Sequence, residues 1–267
     1  MSMLLNQENF RVMKTVSKIV DWLEIRKTLS SKQIGFVPTM GHLHDGHLSL
    51  YKQAREENEV VVASIFVNPT QFNQQSDFDN YPRTLERDKE MLSQAGVDYL
   101  WLPDADEMYP DDYQVRVCET EISRYLEGEF RPGHFDGMLT VVMKLLNIVR
   151  PSHAYFGEKD FQQYLLIKKM VLSLFMPVEV ISCETVRAED GLALSSRNSR
   201  LTQEQRQKAA QFPHWLSQSL SINTIQEKLI EAGFQVDYII EKWGRRLAAV
   251  WLGDIRLIDN VIIKTGE

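Results

Sequence analysis

From residue 34 onward, short apolar runs alternate with amphipathic stretches, and most runs stop at a proline or glycine. Ile34–Val37 reads as a strand that ends at Pro38. Val60–Val67 is a continuous, mostly β-branched run closed by Asn68-Pro69, and Val97–Leu102 is a third run closed by Pro103. Strands that are apolar along their whole length have both faces covered, which is the condition of a parallel sheet between helices. Gly46–Glu57 and Arg83–Ala95, the latter followed by Gly96, read as the connecting helices. The first places Leu48 and Tyr51 toward the core and Arg55, Glu56 and Glu57 toward water. A β-α-β-α-β order predicts an α/β fold on a parallel sheet.

The same alternation continues with a helix near Met138–Val149, a strand near Ala154–Phe156, a helix over Phe161–Leu174 and a strand near Val178–Ile181. After Cys183 the pattern changes. A polar segment, Arg187–Arg200, carries Gly191 and several serines, and helices follow over Gln203–Ser217 and Thr224–Ala232. The chain then turns to strands at Val236–Ile240, Leu247–Trp251 and Ile255–Ile263, with Gly253-Asp254 as a tight turn. This places a boundary near residue 183, with a larger domain over 1–183 and a smaller α+β domain over 184–267. Residues 1–9 are polar and read as a frayed end.

Composition adds exclusions. With 43% apolar and 25% charged residues, the 267-residue chain has the balance of a soluble globular protein. A net charge of −7 and an isoelectric point near 5.5 argue against a nucleic-acid partner, which needs a basic face. No run is long enough to span a bilayer and no secretory leader is evident, so a cytoplasmic protein without a membrane partner is expected. The two cysteines, Cys118 and Cys183, have no metal-ligand spacing.

Candidate chemistry gathers where strands feed helices. Pro38-Thr39-Met40-Gly41-His42-Leu43-His44-Asp45-Gly46-His47 follows the first strand, where a helix N-terminus offers free N–H groups and the positive end of its dipole to a phosphate. His44 and His47 are one turn apart and project from one face, placed to donate to a triphosphate. Asn68 and Gln71, at the end of the second strand, carry donors and acceptors suited to a small polar substrate, although Asn-Pro is also ordinary turn chemistry. Tyr81-Pro82-Arg83-Thr84 precedes Asp88, a candidate for Mg²⁺ beside phosphates that on composition alone is an exposed helix carboxylate. Glu129-Phe130-Arg131-Pro132-Gly133-His134-Phe135 reads as a Pro-Gly loop. Phe156-Gly157-Glu158-Lys159-Asp160-Phe161-Gln162-Gln163 puts a lysine at another strand–helix junction, where it can act as a point charge on phosphate. Gly191-Leu192-Ala193-Leu194-Ser195-Ser196-Arg197-Asn198 combines hydroxyls, backbone N–H groups and an arginine, or serves as a linker with a serine cap.

His-x-Gly-His resembles the nucleotidyltransferase superfamily that includes the class I aminoacyl-tRNA synthetases, with a Rossmann-like parallel sheet. The serine segment resembles the mobile loop that closes over pyrophosphate in those synthetases. Taken in order from about residue 11 to 263, the segments resemble the pantothenate synthetase (pantoate–β-alanine ligase) family. Gly-Glu-Lys-Asp-Phe-Gln-Gln and Leu-Ser-Ser-Arg-Asn are the most specific strings.

The resemblance implies an enzyme that adenylates pantoate with ATP and transfers the pantoyl group to β-alanine, needs Mg²⁺ and is commonly a homodimer. It implies ATP contacts from Met40, Gly41, His44, Asp45, Gly46, His47, Gly157, Glu158, Lys159, Asp160, Val186, Leu194, Ser195, Ser196 and Arg197. It implies catalytic roles for His47 (proton donor or electrostatic stabiliser), His44, Lys159 and Arg197, and substrate contacts from Gln71 and Gln163 beside Asn68. Thr70 stands where the family often has methionine. The C-terminal part is shorter than the family's usual one, compressed over 217–236 and 238–246, which implies a lid that closes less firmly. Two alternatives stay open here: a nucleotidylyltransferase that leaves the nucleotide on its product, and a non-catalytic ATP-binding regulator.

Overall fold

A computed structural model of the chain describes residues 12–73 and 75–263. The expected frayed end over 1–9 lies outside them. Nine strands, β1 Lys14–Val16, β2 Ile34–Thr39, β3 Val60–Ile65, β4 Tyr99–Trp101, β5 His153–Gly157, β6 Glu179–Cys183, β7 Gln235–Lys242, β8 Arg245–Leu252 and β9 Ile255–Ile262, form two sheets among the described residues. The first sheet has six strands, all parallel, in the order β1-β4-β3-β2-β5-β6. The second is antiparallel, β7-β8-β9.

The apolar runs are strands because both their faces are buried. Helices α1 Ile19–Thr28, α2 Asp45–Glu57, α3 Gln75–Asp79, α4 Leu85–Gln94, α5 Ala105–Met108, α6 Glu127–Phe130, α7 His134–Val149 and α8 Phe161–Ser173 connect them. Phe36, Val60, Val62, Ala154 and Phe156 point to one side, against Trp22 of α1, Leu145 of α7 and Ile167 of α8. Their neighbours Val37, Val61, Ala63 and Tyr155 point to the other side, against Tyr51 of α2 and Leu92 of α4. This is the two-residue period of a strand with apolar residues in both phases. Each such Val or Phe contributes about 1.5–3 kcal/mol on burial.

The β1 strand and α1 helix lie before the first element read from the pattern. β1 is three residues long and α1 buries Trp22 alone, so neither writes a periodic signal. The helix expected over Gln203–Ser217 is two helices, α9 Gln203–Ala209 and α10 Gln211–Leu216. Pro213 causes the break: it has no N–H to give the carbonyl of Ala209, and its ring crowds that carbonyl. With α11 Ile222–Glu231, these helices cover one face of the second sheet through Phe212, Leu216, Ile225 and Leu229 against Ala248, Val250 and Leu257. The expected turn at Gly253-Asp254 joins β8 to β9, with Gly253 at φ 59°.

Candidate active site

Sheet order fixes the site. The chain runs from β2 to β3 and β4 on one side, then returns to β5 on the other side of β2. The crevice beyond the carboxyl ends of β2 and β5 is where such sheets bind ligands. A cleft of about 240 Å³ opens there. Its floor includes Thr39 and Met40 at the end of β2 and Gly157, Lys159 and Asp160 at the end of β5. Gln71 and Gln163 lie along it, and Val186, Leu194, Ser195, Ser196 and Arg197 cover it from the segment after β6.

The loop between β2 and α2 is held by unusual backbone. Gly41 has φ 80° and His42 φ 51°, both left-handed. A Cβ on Gly41 would lie 3.0 Å from Ile65 and 3.1 Å from Asp88 Oδ2. His44 caps α2, and His47 follows one turn later with its ring centroid 4.0 Å from that of His44. Gly46 makes this possible, because a Cβ there would sit 2.9 Å from the His44 ring. The glycine of His-x-Gly-His therefore serves ring packing here. Nδ1 of His44 and Nδ1 of His47 are both buried without a hydrogen-bond partner among the described residues.

Burial first, then the Lys159 and His42 charges, push His44 down to about 4. Burial first, then His44 and Lys159, push His47 down to about 3. Both rings are neutral near pH 7. Lys159 enters the cleft with Asp160 as its charge partner at 3.5 Å. Its turn is braced from the second sheet: Arg245 pairs with Glu158 at 2.6 Å, and Asn260 donates to the carbonyls of Glu158 and Lys159.

The serine segment sits on the first sheet. Ser196 Oγ donates to the His42 carbonyl at 3.2 Å, His42 Nε2 meets Ser199 Oγ at 3.2 Å, and Arg197 reaches Asp77 at 3.3 Å. Arg256 clamps Glu127 through two bonds at 2.7 and 2.8 Å, tying the second sheet to α6.

Five of the expected contact residues, Gly41, Asp45, Asn68, Asp88 and Glu158, do not line the cleft. Asp88 is 1% exposed rather than a surface carboxylate. Its oxygens accept from His42 N, Leu43 N and Thr84 Oγ1, so it clamps the left-handed loop. Asn68, also 1% exposed, donates to Gly137 O and Gln71 Oε1 and accepts from Tyr109 and Thr70. It orients Gln71 from behind the cleft lining. Glu158 points to Arg245, and Asp45 is exposed at the start of α2.

Sequence reasoning missed the apolar wall of Phe66, Met138, Val141, Val142 and Leu145. The signal was present in α7, whose apolar positions 138, 139, 141, 142, 145 and 146 wrap too widely for one buried face. It also left Arg131 as an ordinary loop residue. Arg131 lines an adjoining chamber of about 330 Å³ that shares Lys159, Asp160 and Arg197 with the cleft, and burial pushes its guanidinium down to about 10. His134, buried at the start of α7, meets the Gln71 carbonyl through Nδ1 at 2.8 Å.

The pantoate-beta-alanine ligase family model matches residues 11–262. A pantothenate synthetase of Coxiella burnetii is 51% identical over 248 residues, covering 93% of this chain and 96% of that protein. One from Legionella pneumophila is 50% identical over 252 residues, covering 94% of this chain and all of its own length. A crystal structure of the Francisella tularensis pantoate-beta-alanine ligase, complexed with beta-gamma ATP and beta-alanine, superposes with TM-score 0.91 at 43% identity, covering 96% of this chain and 99% of that one.

Proposed function

The chain belongs to the pantoate–β-alanine ligase family, and from that premise we propose that it is a pantothenate synthetase working through a pantoyl-adenylate intermediate. The carrying observation is the cleft at the β2/β5 crossover, with two neutral imidazoles and Lys159 on one side and Gln71, Gln163 and an apolar wall on the other. Pantoate has a carboxylate, two hydroxyls and a pair of geminal methyl groups. Gln71 and Gln163 suit the polar atoms, and Met138, Val141, Val142 and Leu145 suit the methyls.

The pantoate carboxylate attacks the α-phosphorus of ATP, and the α–β bridging oxygen leaves with pyrophosphate. His44 and His47 donate hydrogen bonds to the phosphates, while Lys159 and Arg197 offset the charge that develops. No protein nucleophile takes part, so positioning and charge stabilisation carry the step. The β-alanine amine then attacks the acyl carbon, an amide bond forms, and AMP leaves. Val186, Leu194, Ser195 and Ser196 cover the adenylate against water. Residues 1–183 hold ATP and pantoate, and 184–267 act as the lid.

Mg²⁺ is read as a companion of the ATP phosphates. Asp88 does not fit as its ligand, because its oxygens already accept two backbone N–H groups and a hydroxyl. Among the described residues no group of three His, Cys, Asp or Glu could hold a metal, and no helix is long and apolar enough to cross a membrane. A cytoplasmic homodimer is the expected form, supported by the family resemblance. Pantoate-dependent exchange of pyrophosphate into ATP tests the reading. Exchange that needs no pantoate would favour a plain nucleotidylyltransferase, and none under any condition would leave an ATP-binding regulator.

A further inference from the structure

Strand β9 carries two neighbouring buried polar side chains, Asp259 and Asn260, each 3% exposed. They grip opposite walls of the cleft. Asp259 accepts two bonds from Arg187, at 2.7 and 2.9 Å, next in the chain to cleft-lining Val186. Asn260 serves the other wall: Nδ2 donates to the carbonyls of Glu158 at 2.8 Å and Lys159 at 3.1 Å. Its Oδ1 accepts from Arg245 Nη1 at 2.8 Å. A guanidinium only donates, so Arg245 fixes which way the amide faces. Arg245 also pairs with Glu158 and lies 4.3 Å over the Phe161 ring.

The segment these groups hold, Glu158–Asp160, is three residues of 3₁₀ helix. So short a turn does not hold its own shape. A displacement of about 1 Å in a catalytic group can cost roughly 10²-fold in rate. We propose that Asn260 is a positioning residue for nucleotide activation: it pins the Glu158–Asp160 turn so that the Lys159 ammonium enters the cleft beside His44 and His47. The second sheet thereby shapes the phosphate side of the site directly, in addition to covering it. The inference rests on reading that cleft as the ATP site.

Asn260→Asp tests it in the full-length chain. The new carboxylate keeps the acceptor for Arg245 but turns a second oxygen toward two carbonyl oxygens, with no donor between them. ATP affinity, measured by calorimetry, should fall roughly tenfold or more. Pantoate affinity should stay within about twofold. On a Lys159→Ala background the same substitution should cost ATP affinity nothing further, because its effect passes through Lys159. Asn260→Ala, which removes the donors without the repulsion, should give the same pattern with a smaller loss, and it carries the test if the aspartate variant does not fold. Additive losses in the two backgrounds, or equal losses for ATP and pantoate, would overturn the proposal and make Asn260 an ordinary structural residue. A wild-type chain that fails to bind ATP would overturn the reading of the cleft instead.

Discussion

Replacing His47 by alanine removes one hydrogen-bond donor from a site where burial has stripped the ring of its ordinary acid–base range. With its value pushed down to about 3, roughly one molecule in 10,000 carries imidazolium at pH 7. His47 therefore works as a neutral donor in the free enzyme. Losing one preorganised donor of this kind costs about 2.7–4 kcal/mol of barrier, or roughly 10²–10³-fold in rate. The assay is single-turnover formation of pantoyl adenylate in the wild type and in His47→Ala. ATP affinity should change much less than the rate, because the bond strengthens as charge develops. The pH dependence adds a second check. The profile of kcat/KM for ATP reports groups of the free enzyme and of free ATP, so any limb between about pH 5.5 and 8 should be the same in wild type and His47→Ala. Bound triphosphate favours the imidazolium, so the profile of kcat shifts upward in pH relative to it. A variant rate within a few-fold of wild type would remove His47 from the mechanism. A limb near pH 6.5 that vanishes in the variant would show a titrating proton donor instead.

Other consequences can be checked separately. His44, His47 and His134 have folded values of about 4, 3 and 3, below the ordinary 6.5, so the unfolded chain binds more protons between those values and 6.5. Stability from this source is full above 6.5 and lost as pH falls through the window, so the melting midpoint should be lower at pH 5 than at pH 7.5; an unchanged midpoint would contradict it. Lys159→Ala should weaken ATP binding while leaving the melting midpoint near wild type, since among the described residues the charge partner of its side chain is Asp160, at 3.5 Å; a collapse of stability with normal ATP affinity would make it structural. Gly137→Ala would place a Cβ 2.3 Å from the Thr70 carbonyl and push the Pro69–Gln71 turn aside. It should cost about 1–3 kcal/mol of stability and weaken pantoate more than ATP, which separate titrations of each ligand would show.

How much of this was legible in the chain depended on which residues write a pattern. The runs Val60–Val67 and Ile34–Val37 announced a doubly covered parallel sheet because both faces are apolar, and the strands are Val60–Ile65 and Ile34–Thr39. His44, Gly46 and His47 announced a site because their spacing puts two rings on one helical turn. Asn68 at a strand end and Asp88 on a helix misled because polar residues at such positions look solvated, whereas here each is buried by the loop it holds together. The grip of Asn260 on Lys159 could not be read at all, since 101 positions separate the two and no local periodicity links them. Arg256 and Glu127 are hidden for the same reason, at a separation of 129.

The central claim is that pantoate is activated by bonding its carboxylate oxygen to the α-phosphorus of ATP. Isotope transfer tests it most directly. The enzyme is given ATP, β-alanine and pantoate whose carboxylate oxygens are both ¹⁸O, and the products are weighed by mass spectrometry. The account predicts one labelled oxygen in the phosphate of AMP, one in the pantothenate amide, and none in pyrophosphate. Label in orthophosphate or pyrophosphate, or AMP that carries none while pantothenate forms, would contradict it.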